Sequence, residues 1–323
     1  MFKRLVWWQV ALTTLIVGTV LGWFLRVWYV SHQPNPLVQI REDSSQYHFI
    51  RPLLLVDIPR ESPEYAALKS QIEQFVHKAT REGKAESISV YFRDLNFGRW
   101  TGVNETWLYG PSSMLKVAVM LWYLKAASTN PDILTEELYY KNKTDFGQHY
   151  PPSHVLADGR YTIKQLIEAM IVDSDNVALG LLFDQHKQAL AEVFKGLKIP
   201  PPPTADTVDY MSPQVFSQII RTLFSSTYLP RGLSEYALQL LSLTTFKHGL
   251  VAGVPADIVV AHKFGEHTST DALGQVISRE LHDCGVVYYP TRPYLLCVMT
   301  KGQDFGQLQQ VIADISAIVY RGL

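Results

Sequence analysis

Excess charge of either sign, cysteine and internal repeats are what this chain of 323 residues has least of. Its 29 Lys and Arg against 30 Asp and Glu leave a formal net charge of −1. That balance excludes the strongly basic composition of a nucleic-acid binder. Ten histidines are present without H-E-x-x-H or Cys/His spacing, so neither a metal site nor a cofactor is expected. Asp145-Phe146-Gly147 and Asp304-Phe305-Gly306 match a kinase tripeptide, but the glycine-rich loop and H-R-D segment that give it meaning are missing. Only two cysteines occur, Cys284 and Cys297. They flank the turn signal Pro290-Thr291-Arg292-Pro293, so they read either as a disulfide across one hairpin or as two small buried residues.

One long uncharged run is present, the 21 residues Leu5–Leu25. At about 1.5 Å per helical residue it spans a hydrocarbon core of about 30 Å. Trp7, Trp8 and Trp23 lie near its ends, as interfacial aromatics do. Lys3 and Arg4 precede it and only Arg26 follows, which places the N-terminus in the cytoplasm and the rest outside. The run is long for a signal-peptide core and no A-x-A-like site follows, so an uncleaved single-pass anchor over 1–29 is expected. Residues 30–61 are polar and proline-containing and read as a tether, leaving 62–323 as the folded domain.

In that domain Ser62 and Pro63 open a helix that carries Leu68, Ile72, Phe75, Val76 and Ala79 on one stripe and stops at Gly83. Ile88–Phe92 and Trp100–Val103 read as strands. The middle reads as helical, with a capping box at Thr162 and Gln165, and Pro200 to Pro203 form a stiff extended loop. Ala256–Lys263, Gly285–Tyr289 and Tyr294–Thr300 read as strands, and a last helix runs from about Phe305 to Val319. Strands at both ends with helices between predict an α+β fold: an antiparallel sheet packed by helices plus a mostly helical part.

The most telling chemistry is in Met114–Leu124, eleven residues with a single charge, Lys116. A helix apolar on nearly every side is buried, and a buried ammonium must find a partner or lose its charge. Ser113 stands three residues before it, on the same helix face. A desolvated lysine beside a serine hydroxyl activates a nucleophile. The bland reading of the pair is a core helix whose lysine snorkels outward. Ser174-Asp175-Asn176 follows 61 residues after Ser113, and Lys263-Phe264-Gly265 another 89 residues on. Taken singly, the first would be an N-cap and the second an edge lysine with a turn glycine.

In order and spacing, S-x-x-K, S-D-N and K-F-G resemble the signature of class A β-lactamases and penicillin-binding proteins, whose third motif is K-T-G. The resemblance extends over roughly 64–323. It implies a β-lactamase-like fold and an extracytoplasmic bacterial serine hydrolase. Its substrate would be a β-lactam or a cell-wall peptide amide. It further implies Ser113 as nucleophile, Lys116 as its base, Ser174 as proton relay to the leaving nitrogen and Lys263 as a neighbouring positive charge. Asn176 would bind the substrate amide. Gly265 and Glu266 would line the substrate wall, with the N–H groups of Ser113 and Glu266 as oxyanion hole.

Two departures qualify that inheritance. Phe264 has no hydroxyl where the family's threonine meets a substrate carboxylate, and Glu266 brings negative charge beside it. The E-x-x-L-N segment, whose glutamate serves deacylation in class A enzymes, has no counterpart, and Asp206 and Asp209 are the only carboxylates in the shortened loop. Slow deacylation is therefore expected. The alternative is a catalytically weakened relative that binds cell-wall material or a partner.

Overall fold

The computed structural model describes residues 18–19, 21–23, 47–52, 61–142, 148–204 and 207–323. Among them no helix is long and apolar enough to cross a membrane. The Leu5–Leu25 run falls mostly outside the described residues, as do Asp206 and Asp145-Phe146-Gly147. Contacts divide the chain into two units, Met1–Val38 and Gln39–Leu323. In the first, residues 18–19 and 21–23 are helical. The second contains every named strand and helix of the domain.

The frame of the second unit is a five-stranded antiparallel sheet in the order β2-β1-β7-β6-β5. The strands are β1 (Ser87–Asp94), β2 (Trp100–Val103), β5 (Val260–Thr270), β6 (Val276–Val287) and β7 (Tyr294–Gly302). Alternation of side chains sorts each strand between two cores. Val90, Phe92, Leu296 and Val298 face α1 (Ala66–Arg81) and the last helix, α8 (Phe305–Arg321), with Ile72, Val76, Leu308 and Ile312. Tyr91, Ala261, Cys284 and Met299 face the helical part. That part contains α2 (Lys116–Ala127), α3 (Ile163–Val172), α4 (Asn176–Gln185), α5 (Ala189–Leu197), α6 (Pro213–Phe224) and α7 (Arg231–Ser242). The α+β architecture is as expected, and four helix starts follow their local chemistry. Thr162 and Gln165 close the capping box of α3, and the Asp175, Ser212 and Asp304 side chains cap α4, α6 and α8.

Several boundaries differ from those the sequence pattern predicts. The middle also contains a two-stranded hairpin, β3 (Glu137–Tyr140) with β4 (Gly159–Thr162), where the pattern predicts only helix. The strand expected over 256–263 starts at Val260 and continues past Lys263-Phe264-Gly265 to Thr270. The strand expected from Gly285 begins at Val276: Arg279, Glu280, His282 and Asp283 interrupt its apolar pattern, yet each finds a partner in the fold, at Gln303, Gly110 and His262. Cys284 and Cys297 face each other across β6 and β7 and form a disulfide. Within the expected tether, residues 48–50 lie on the domain, their backbone N–H groups donating to the Glu235 carboxylate.

Candidate active site

The nucleophile candidate is presented by a short 3-10 turn, Ser112–Leu115, that leads directly into α2. Lys116 is the first residue of α2 and is fully buried, as are Val117 to Leu121 behind it. The snorkelling alternative is thereby removed: the amine stays inside. Its Nζ lies 3.0 Å from Ser113 Oγ, 3.0 Å from Ser174 Oγ, 2.6 Å from the Ser174 carbonyl and 2.7 Å from Asn176 Oδ1. Burial lowers its pKa to about 7, against smaller opposing effects of Asp175 and Glu266.

Ser174 occupies the joint between α3 and α4, and Asp175 makes that joint rigid. Asp175 Oδ1 accepts from Val177 N at 2.7 Å and Ala178 N at 3.0 Å, while Oδ2 accepts from Tyr140 Oη at 2.8 Å. The middle residue of S-D-N is thus a cap, and its neighbours on both sides turn into the site. Ser112 (φ 48°) and Ser174 (φ 57°) both take the left-handed backbone region. Non-glycine residues there store about 1–3 kcal/mol each and are over-determined by their surroundings, as active-site residues often are.

The opposite wall is the edge strand β5. Fully buried Lys263 donates from Nζ to Ser174 Oγ at 2.9 Å and to the Phe264 carbonyl at 3.0 Å. Burial, with the like charge of Lys116, holds its pKa well below the ordinary lysine value. Ser174 Oγ therefore bridges two lysines. Gly265 is required by contact: a Cβ there would come within 2.9 Å of the Pro111 carbonyl oxygen and 3.2 Å of Met114 N. Only glycine lets β5 abut the nucleophile turn. The Glu266 carboxylate acts on both lysines through its charge, and its hydrogen bonds are made elsewhere. It accepts from the backbone N–H groups of His149 and Tyr150, at 2.9 and 3.0 Å.

Ser113, Lys116, Ser174, Asn176, Lys263, Gly265 and Glu266 thus stand in one place, as the motif spacing implied. Others had no local signal. Gly110, three residues before Ser113, is held at both backbone groups by β6: its N–H donates to Glu280 Oε2 at 3.0 Å and its carbonyl lies 3.0 Å from His282 Nε2. Thr300 N–H donates to His282 Nδ1 at 3.2 Å, which leaves Nε2 as the ring nitrogen that carries hydrogen. Lys301 Nζ reaches Glu280 Oε1 at 3.0 Å and Asp209 Oδ2 at 3.4 Å. Under β5 a second buried pair, His262 Nδ1 and Asp283 Oδ1, lies at 2.8 Å, and Asp283 Oδ2 accepts from Leu250 N. Among the described residues no group of three His, Cys, Asp or Glu converges on a metal position.

The β-lactamase enzyme family model matches residues 67–323. No curated protein matches the chain. Among solved structures it is similar to a point mutant of PBP-A, an acyl-enzyme complex with penicillin G, at 21% identity over 82% of this chain and 98% of that one, TM-score 0.64. It is similar to the TLA-1 extended-spectrum β-lactamase at 19% identity over 79% and 98%, TM-score 0.65. It is also similar to a class A β-lactamase from Mycobacterium abscessus at 20% identity over 79% and 98%, TM-score 0.65. These structural likenesses are ones of fold. With a family model that spans the whole domain around Ser113, Ser174 and Lys263, the chain belongs to the β-lactamase enzyme family.

Proposed function

We propose that this chain is a serine acyl hydrolase that forms an ester on Ser113 from a β-lactam or a cell-wall-type amide. We further propose that its N-terminal run anchors it in a bacterial membrane with the domain outside. The observation that carries the chemistry is the set of four oxygens around Lys116 Nζ. The Ser174 carbonyl and Asn176 Oδ1 only accept, so they claim two N–H bonds. One direction remains, toward the Ser113 and Ser174 hydroxyls. In the neutral amine that direction holds the lone pair, and the Ser113 proton moves to it as Oγ attacks the carbonyl carbon. The C–N bond then breaks, Lys116 returns the proton to Ser174 Oγ, and the Ser174 hydroxyl proton passes to the leaving nitrogen. The N–H groups of Ser113 and Glu266 are the implied donors to the oxyanion, and Asn176 Nδ2 is left to bind the substrate amide.

A second reading, a weakened relative that binds cell-wall material or a partner, draws on the carboxylates near the site. Glu266, Glu280 and Asp209 are each engaged in holding backbone or a lysine.

The test is to incubate the full chain with a reporter penicillin and seek an adduct by intact mass. Ser113→Ala should abolish the adduct. Ser112→Ala should leave most of it, since of these two serines it is Ser113 whose Oγ meets Lys116, while the Ser112 hydroxyl donates to the Gly110 carbonyl. Labelling that survives the first change and disappears with the second would overturn the assignment.

A further inference from the structure

If Ser113 forms the acyl-enzyme and Ser174 protonates the leaving nitrogen, the wall next to Ser174 meets whatever the substrate carries beside that nitrogen. The wall is built around Lys263, whose Nζ is closed off by Ser174 Oγ, by the Phe264 carbonyl and by the Phe264 ring, centred 4.3 Å away. No part of Lys263 is exposed. Phe264 in turn stacks on Phe246 at 4.1 Å, and the Tyr150 ring stands edge-on to both, 4.9 Å from Phe246 and 6.1 Å from Phe264. Tyr150 is kept there by the Glu266 carboxylate, which grips its backbone N–H. Among the described residues, Arg279 lies over the Phe305 ring and donates to the Gln303 carbonyl, Lys247 is exposed to solvent, and His248 is exposed with its ring stacked on Tyr150 at 6.1 Å. A carboxylate placed against this wall would meet aromatic carbon and a fixed negative charge, and Lys263 Nζ, already engaged, would not turn to pair it, which is costly. An uncharged group would pack against the half-buried Tyr150 ring, behind which Phe246 and Phe264 are buried.

We propose that the acyl donor of this site carries an uncharged ester- or amide-like group, not a carboxylate, on the carbon next to its leaving nitrogen, and that Phe264, Phe246, Tyr150 and Glu266 select for it. The probes are benzylpenicillin and its methyl ester, which share the scissile amide and differ only in that group. Acylation of the full chain is followed by intact mass, each rate divided by the probe's own alkaline hydrolysis rate. The ester should acylate about tenfold faster or more, the scale of one unpaired charged hydrogen-bonding group. Phe264→Thr should narrow or reverse that ratio. Because it opens a buried site, Glu266→Gln serves as the second variant, removing the charge while Phe264 stays, and should also narrow the ratio. An acid that reacts as fast as the ester in the wild type overturns this inference and leaves the acyl-enzyme standing. Labelling by neither probe overturns both. A ratio unchanged in both variants overturns the assignment to these residues.

Discussion

At the scale of single residues, Lys116 decides whether the site works. A charged Lys116 puts a proton where the lone pair is needed, and burial sets the balance near neutrality, at a pKa of about 7. The sign follows directly: the lysine is protonated and inert as a base below that value and free above it. Acylation should therefore rise as pH passes through about 7, well below the usual lysine range near 10.4, and level off beyond. Stopped-flow acylation at a series of pH values checks this. Lys116→Arg should lose at least about a hundredfold, the lower end of what general-base catalysis contributes, because arginine stays protonated. A flat profile, or an active arginine variant, contradicts the base role. This part of the site is legible in the sequence because it is local. A serine three residues before the only charge of the apolar run Met114–Leu124 is a relation within one turn, and helix geometry alone brings the two groups together.

Strand β6 shows what is not legible at that range. Glu280, His282 and Asp283 spoil the apolar alternation by which a buried strand is recognised, so the pattern predicts a strand only from Gly285. Their partners lie far off in the chain: Gly110 for Glu280 and His282, and His262 for Asp283. No spacing rule reaches across the 170 residues from Glu280 to Gly110. The strand has a testable energetic signature. Burial alone would raise the Glu280 pKa, but His282 and Lys301 outweigh it and pull it from 4.5 to about 2. A carboxylate depressed in the folded state contributes stability above its unfolded value, and that contribution is lost as pH falls from 4.5 toward 2. Glu280→Gln should therefore melt lower than wild type at pH 7. The two melting temperatures should converge as pH drops through that window. Parallel curves from pH 7 to pH 2.5 would show that Glu280 does not carry this linkage. Acylation should weaken in the same variant, since the Gly110 N–H loses a charged acceptor and the nucleophile turn loses one of its two holds.

For the molecule as a whole, the question is what happens after acylation. Deacylation needs a water held and deprotonated at the ester. The absence of the E-x-x-L-N glutamate is plain in the sequence. Whether another carboxylate has moved into its place is not, because that depends on how distant segments pack. The fold answers for each candidate that it describes. Asp173 accepts from His154, Asp175 caps α4 and holds Tyr140, and Glu266 grips His149 and Tyr150. Glu280 holds Gly110, and Asp209 reaches Lys301. Each is engaged with backbone or with a side chain other than Ser113. The groups that do reach Ser113 and Ser174 are Lys116 and Lys263, and these serve acylation. General-base assistance to water contributes typically about a hundred- to ten-thousand-fold, so the second half-reaction should lag the first by a factor of that order. With a reporter penicillin, the expected time course is a burst of product close to one equivalent of enzyme, then a slow steady state, with the adduct present by mass throughout. Rapid multiple turnover without adduct would mean that a deacylating base is present after all. Asp206, which lies outside the described residues, would then be the first position to change, and Asp206→Asn would have to convert fast turnover into a burst.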